Sequence, residues 1–128
     1  MTEDYTSFEI AKLLKEKGFD ESCTHVCNIE SGKILEASFY TCRYVYNSWL
    51  DKNEPRLIAA PTLQMAMKWL REVHKLAINI EFQIDFPTWK WRIYHIEPSA
   101  DKHTNFKHYD TYEEACEAAI KYCLENLI

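Results

Sequence analysis

Between residues 77 and 97 apolar and polar side chains alternate, with Ile78, Ile80, Phe82, Ile84 and Phe86 separated by Asn79, Glu81, Gln83 and Asp85. Successive side chains on a strand point to opposite faces, so this pattern predicts a strand with one apolar and one wet side. Trp89 to Glu97 reads as a second strand, after a short connection holding Pro87 and Thr88. A hairpin closing on Ile84 and Trp89 sets Phe82 against Trp91 and Ile80 against Ile93. The same register sets Glu81 against Arg92 and Gln83 against Lys90. Satisfying both faces at once is what fixes a register.

Helical periodicity marks three further segments. Thr6-Ser7-Phe8-Glu9 has capping-box spacing, and Phe8, Ala11 and Leu14 then share a stripe with Ile10 and Leu13. Gly18 suits the left-handed residue after that helix, with Phe19 packing back on Leu14. Pro61-Thr62 opens a second helix over 62–76. Leu63, Ala66, Met67, Leu70, Val73 and His74 share one of its faces, with Met65, Trp69 and Leu76 beside them. That apolar arc spans roughly 200°, enough to meet a sheet and another helix. Thr111-Tyr112-Glu113-Glu114 repeats the capping box and opens a third helix, which is expected to bury Tyr112, Ala115, Cys116, Ala119, Ile120, Cys123, Leu124 and Leu127.

Cys23 to Ile29 reads as a strand, Glu30 to Lys33 as a turn and Ile34 to Thr41 as the return strand. Residues 42–60 read as an irregular aromatic excursion carrying Tyr44, Tyr46 and Trp49, with turns at Asn47-Ser48 and from Asp51 to Pro55. Residues 1–5 read as a loose terminus, and Ser99 to Asp110 as a solvated connection. The order is α-β-β-α-β-β-α. The fold class is α+β, a single domain over 1–128, with one antiparallel sheet of about four strands and three helices on one face.

Three segments carry a resemblance: Ser7-Phe8-Glu9 through Asp20-Glu21, Ala60-Pro61-Thr62-Leu63-Gln64-Met65-Ala66-Met67-Lys68-Trp69-Leu70-Arg71-Glu72, and Tyr112-Glu113-Glu114-Ala115 to the C-terminus. Together they resemble a group of small uncharacterised proteins of gut bacteroidete bacteria and their phages or prophages. The resemblance implies a mobile-element protein acting on another protein. It carries over no activity, cofactor or site residue.

Composition narrows the chemistry. A net charge of −5 disfavours general affinity for phosphate backbones. Only Gly18 and Gly32 occur, too few for a loop whose backbone cradles phosphates. Five cysteines form no framework spacing, and neither a leader peptide nor a membrane span precedes or follows them, so a reduced, cytoplasmic protein with buried thiols is expected. Aromatic residues make up 14% of the chain, a proportion that serves contact surfaces as well as cores.

Cys23-Thr24-His25-Val26-Cys27 invites a metal reading. On a strand its cysteines would be about 13 Å apart, so all three ligands cannot reach one zinc. No metal and no cofactor is expected. A Cys–His nucleophilic pair stays open for Cys23, Cys27 and Cys42, whereas Cys116 and Cys123 on the core face of the third helix read as inert filler and His74 as a hydrogen-bonded core histidine. Trp89-Lys90-Trp91-Arg92 interleaves aromatics with cations as single-strand binders do, but alternation sends the tryptophans to the core side.

The reading that follows is a non-enzymatic protein-contact module whose partner is another protein or a second copy. Its contact surface is Lys90, Arg92, Tyr94 and Ile96 on the open sheet face, or Tyr44, Tyr46 and Trp49 in the excursion. The alternatives are a small enzyme or ligand binder with a pocket between helix 62–76 and segment 42–60, and a single-stranded nucleic-acid binder.

Overall fold

The computed structural model describes residues 4–37, 44–96, 102–104 and 107–128. The chain is α+β and divides into two compact units, Met1–Thr62 and Leu63–Ile128.

The first unit holds α1 (Phe8–Glu16), β1 (His25–Asn28), β2 (Ile34–Glu36), α2 (Asn47–Asn53) and β3 (Leu57–Ala59). Its strands form an antiparallel sheet in the order β2-β1-β3. Ser7, rather than Thr6, caps α1 and accepts from the Ile10 N–H at 3.4 Å. Thr6 is buried instead, and both its N–H and its hydroxyl donate to the Pro61 carbonyl. A tertiary bond has displaced the local cap. At the other end of α1, Gly18 takes φ +93° and the Phe19 N–H donates back to the Leu14 carbonyl. This left-handed exit buries Phe19. Ala11, Cys27, Ile58 and Ala60 pack together, with Phe8 against them.

The segment read as an irregular excursion contains α2 and β3. Asn47, where a turn was expected, is the buried first residue of α2. Its side-chain amide donates to the Phe19 carbonyl at 2.9 Å and accepts from the Ala59 N–H at 2.9 Å. Asp20 accepts from the Ser48 N–H, which satisfies a donor in the first turn of α2. These partners lie far off in sequence, so local propensity could not report them. β3 has three residues, too few for an alternation to show.

The second unit holds α3 (Leu63–Val73), β4 (Leu76–Gln83), β5 (Thr88–His95), β6 (Lys102–Thr104) and α4 (Tyr112–Tyr122), which runs on as a π-helical turn, Cys123–Leu127. The sheet order is β4-β5-β6, antiparallel throughout. The expected single sheet is therefore two three-stranded sheets, and the described residues hold four α-helices rather than three.

Thr111 caps α4 as the capping box requires, accepting from the Glu114 N–H at 3.1 Å. α3 is shorter than its pattern. Val73 is exposed, and Lys75, in the left-handed region at φ 57°, turns the chain into β4. α3 packs against β4 and α4, the two neighbours its wide apolar arc calls for.

The hairpin register differs from expectation by two residues. Ile80 pairs with Trp91, Phe82 with Trp89, Ile78 with Ile93 and Glu81 with Lys90. The hairpin closes on Gln83 and Thr88, each one residue earlier than the expected Ile84 and Trp89. Thr88 makes the difference, because its N–H and hydroxyl both donate to the Phe86 carbonyl. This holds residues 84–87 as the turn, where Pro87 needs no ladder donor. An even shift keeps every side chain on its expected face. Trp91 and Ile93 are buried, and α4 lays Tyr112 against Trp89 and Tyr122 against Trp91, with ring centroids 5.4 and 5.0 Å apart. Ile84, expected on the buried face, is in the turn and 86% exposed.

Two substitutions test this packing in denaturant melts. Leu70→Ala, at a fully buried position of α3, is expected to cost about 2–5 kcal/mol. Asn47→Ala, which strands the Ala59 N–H and the Phe19 carbonyl, is expected to cost about 2–3 kcal/mol. A loss under about 1 kcal/mol in either would show that the site is peripheral to its unit.

Candidate functional site

The face of the β4-β5-β6 sheet opposite Trp91 and Ile93 is the surface the sequence singles out. β5 runs through its middle, so Lys90, Arg92 and Tyr94 alternate with the buried residues and share that face. On the β4 side they lie opposite Glu81, Asn79 and Ala77. On the β6 side Arg92 pairs with Thr104 and Tyr94 with Lys102. Lys102 and Thr104 were read as part of a solvated loop, and the structure adds them to this face. Arg92 Nε lies 3.3 Å from Glu81 Oε1, a diagonal ion pair in place of the directly opposed one expected. That nitrogen makes no aligned hydrogen bond. Ile96 follows β5, exposed, with its N–H donating to the Lys75 carbonyl.

The end of the same hairpin is strongly apolar. Phe82 is 48% exposed and Phe86 69% exposed, beside Ile84 in the turn. Phe86 rests its ring against His108, which also bonds the Thr88 hydroxyl at 2.8 Å. Tyr44, Tyr46 and Trp49 belong to the first unit. Tyr44 and Tyr46 are exposed, while Trp49 is half-buried in α2. The two candidate groups therefore lie in different units.

Two histidines that no spacing rule joined come together. His95 at the end of β5 and His103 in β6 approach with Nε2 atoms 2.8 Å apart, and the His103 ring faces Tyr122. One imidazole donates to the other. The signal was out of reach because β6 is three residues long within a polar segment.

Cys23 lies before β1 rather than on it, bridged to Val45, so the strand-spacing argument does not apply to it. Its thiol donates to the Glu21 carbonyl, and His25 is engaged by the Thr24 hydroxyl and the Tyr5 ring. Among the described residues no three His, Cys, Asp or Glu side chains converge as a metal site. Burial, with the Glu21 carboxylate nearby, pushes the Cys23 thiol up to about 12, and burial alone does the same for Cys123. Burial also raises Cys27. A thiol held this far from its thiolate is a poor nucleophile. Cys42 lies outside the described residues.

His74 corrects its reading as a hydrogen-bonded core histidine. Its Nε2 is buried without a hydrogen-bond partner among the described residues, and the ring packs edge-on to Trp69 at 4.6 Å. Burial holds its pKa below the ordinary imidazole value.

Among the described residues no helix is long and apolar enough to cross a membrane. Compared with known proteins, the chain matches no family model, no curated protein and no solved structure.

Two measurements check these environments. In a Cys42→Ser background the folded protein is expected to resist a thiol reagent at pH 8, with the remaining thiols reacting only on unfolding. Rapid labelling of Cys23 or Cys123 would show an accessible thiolate. His74, with its lowered pKa, takes a proton more readily in the unfolded chain. Its contribution to stability is thus present above the unfolded pKa of about 6.5 and lost as pH falls through the folded value. Denaturant melts from pH 7.5 to 5 are expected to show a shallower loss for His74→Gln than for the natural chain.

Proposed function

We propose that this chain is a non-enzymatic protein-contact module of phage or prophage origin, and that its contact surface is on the β4-β5-β6 sheet. The origin rests on the resemblance of the three segments quoted above. The contact reading rests on one observation. Three exposed large apolar residues, Phe82, Ile84 and Phe86, cluster at the turn end of one hairpin, whose other face carries mixed charge and one tyrosine. Exposed apolar clusters rimmed by polar groups mark interaction surfaces, and complementary charge selects the partner.

The competing readings have less in their favour. Catalysis by a cysteine needs an accessible thiolate, and burial opposes one at Cys23, Cys27 and Cys123. Base stacking needs open aromatic faces, whereas Trp89 and Trp91 carry rings of α4 against them.

The test uses the full chain as bait in host lysate, with Tyr94→Ala and Arg92→Glu alongside. Both variants are expected to keep stability within about 1 kcal/mol and to lose the captured protein or weaken its retention by about tenfold. A partner retained equally by both variants removes the open sheet face as the site. Tyr44, Tyr46 and Trp49 then become the surface to test.

A further inference from the structure

The sheet of the second unit ends in a strand that, among the described residues, pairs on one side only. β4 is an edge strand of eight residues, paired to β5 without interruption from Leu76 to Gln83. The direction of its backbone groups follows from two contacts of β5. Trp89 exchanges both backbone bonds with Tyr109, on the side away from β4, while the Ile96 N–H reaches the Lys75 carbonyl at the foot of β4. Backbone groups alternate in direction along an antiparallel ladder. Ala77, Asn79, Glu81 and Gln83 therefore bond to β5, and Ile78, Ile80 and Phe82 aim their N–H and C=O groups outward. Among the described residues no backbone bond meets those outward groups.

The other edges are blunted. β6 has three residues and begins with Lys102. β2 has three, follows Lys33 and ends in Glu36. β3 has three and lies between Pro55 and Pro61. Short length, lysine and proline are the devices that stop edges from pairing with other chains. β4 has none of them, and Glu81 is its only charged residue.

We infer that β4 is a self-association edge, and that its occupant is β4 of a second copy, paired antiparallel to make one six-stranded sheet across the dimer. The strand is complementary to itself. With the two-fold axis at Ile80, that residue meets Ile80 of the second copy as a hydrogen-bonded pair, and Ile78 meets Phe82 of the second copy. All these residues already aim their backbone groups outward. On the apolar side this covers Phe82, which is otherwise half exposed. On the wet side Asn79 meets Glu81 of the second copy, a pairing these side chains already make within one chain at 3.4 Å. Moving the axis to Glu81 would oppose two carboxylates, which cross-strand pairing disfavours. A two-fold axis repeats each contact, so one strand supplies both halves of the interface.

The inference rests on reading the chain as a protein-contact module and names the partner. Its test is separate from the lysate capture. Light scattering coupled to size exclusion, at a concentration on the order of 100 μM, is expected to give twice the 15.2 kDa chain mass. Phe82→Lys adds an edge lysine at an exposed position, and Ile80→Pro removes an outward N–H without breaking a bond to β5. Each is expected to raise the dimer dissociation constant by about tenfold or more, with far-ultraviolet circular dichroism unchanged. In the natural chain, amide exchange at Ile78, Ile80 and Phe82 is expected to slow as concentration rises, with no such change at Asn79 or Glu81. A monomeric natural chain overturns self-pairing and leaves the contact reading to the lysate experiment. So does a dimer that survives Phe82→Lys, or one whose formation leaves exchange at those three amides unchanged.

Discussion

The second unit depends on one constraint, the two-sidedness of the β4–β5 ladder. Ile78, Ile80, Trp91 and Ile93 occupy one face because side chains alternate and the pairing shift is even. That face gives α4 a surface on which Tyr112 and Tyr122 meet Trp89 and Trp91. It also places Lys90, Arg92 and Tyr94 together on the opposite side, where β6 adds Lys102 and Thr104. A shift by an odd number would exchange the two sets and leave α4 facing charge.

The first unit is tied differently. Among the described residues its strands are four residues or fewer, so no long ladder is seen there. Asn47 joins the exit of α1 to β3 through two hydrogen bonds of one buried amide. Asp20 fastens the start of α2 beside it. A buried polar group satisfied on both sides holds its neighbours to one geometry, and the same group half satisfied costs stability. The polar anchor thus does in this unit what apolar alternation does in the other.

The chemistry of the chain follows from where its reactive groups ended up. Four of its cysteines are buried, and burial raises the thiols of Cys23, Cys27 and Cys123 away from the thiolate. His95 and His103 hydrogen-bond each other, and burial lowers the His74 pKa. What remains outward on the second unit is apolar hairpin end, mixed charge and an unblunted strand edge.

Sequence by itself determined the features whose causes are local. The α4 cap, the left-handed exit at Gly18, the helical stripe of α3 and the two faces of the hairpin all follow from residues within a few positions of one another. The shared face of Lys90, Arg92 and Tyr94 was legible for the same reason, since alternation alone places them together. Tertiary structure decided the rest. Thr6 left its capping role for the Pro61 carbonyl, and Asn47 turned an expected loop into a helix start. β6 and the His95–His103 pair formed where the local pattern was only polar. In each case the deciding partner is a hydrogen-bonding group whose position depends on the folded chain. Local propensity cannot weigh such a bond, because its energy exists only once the distant group has arrived.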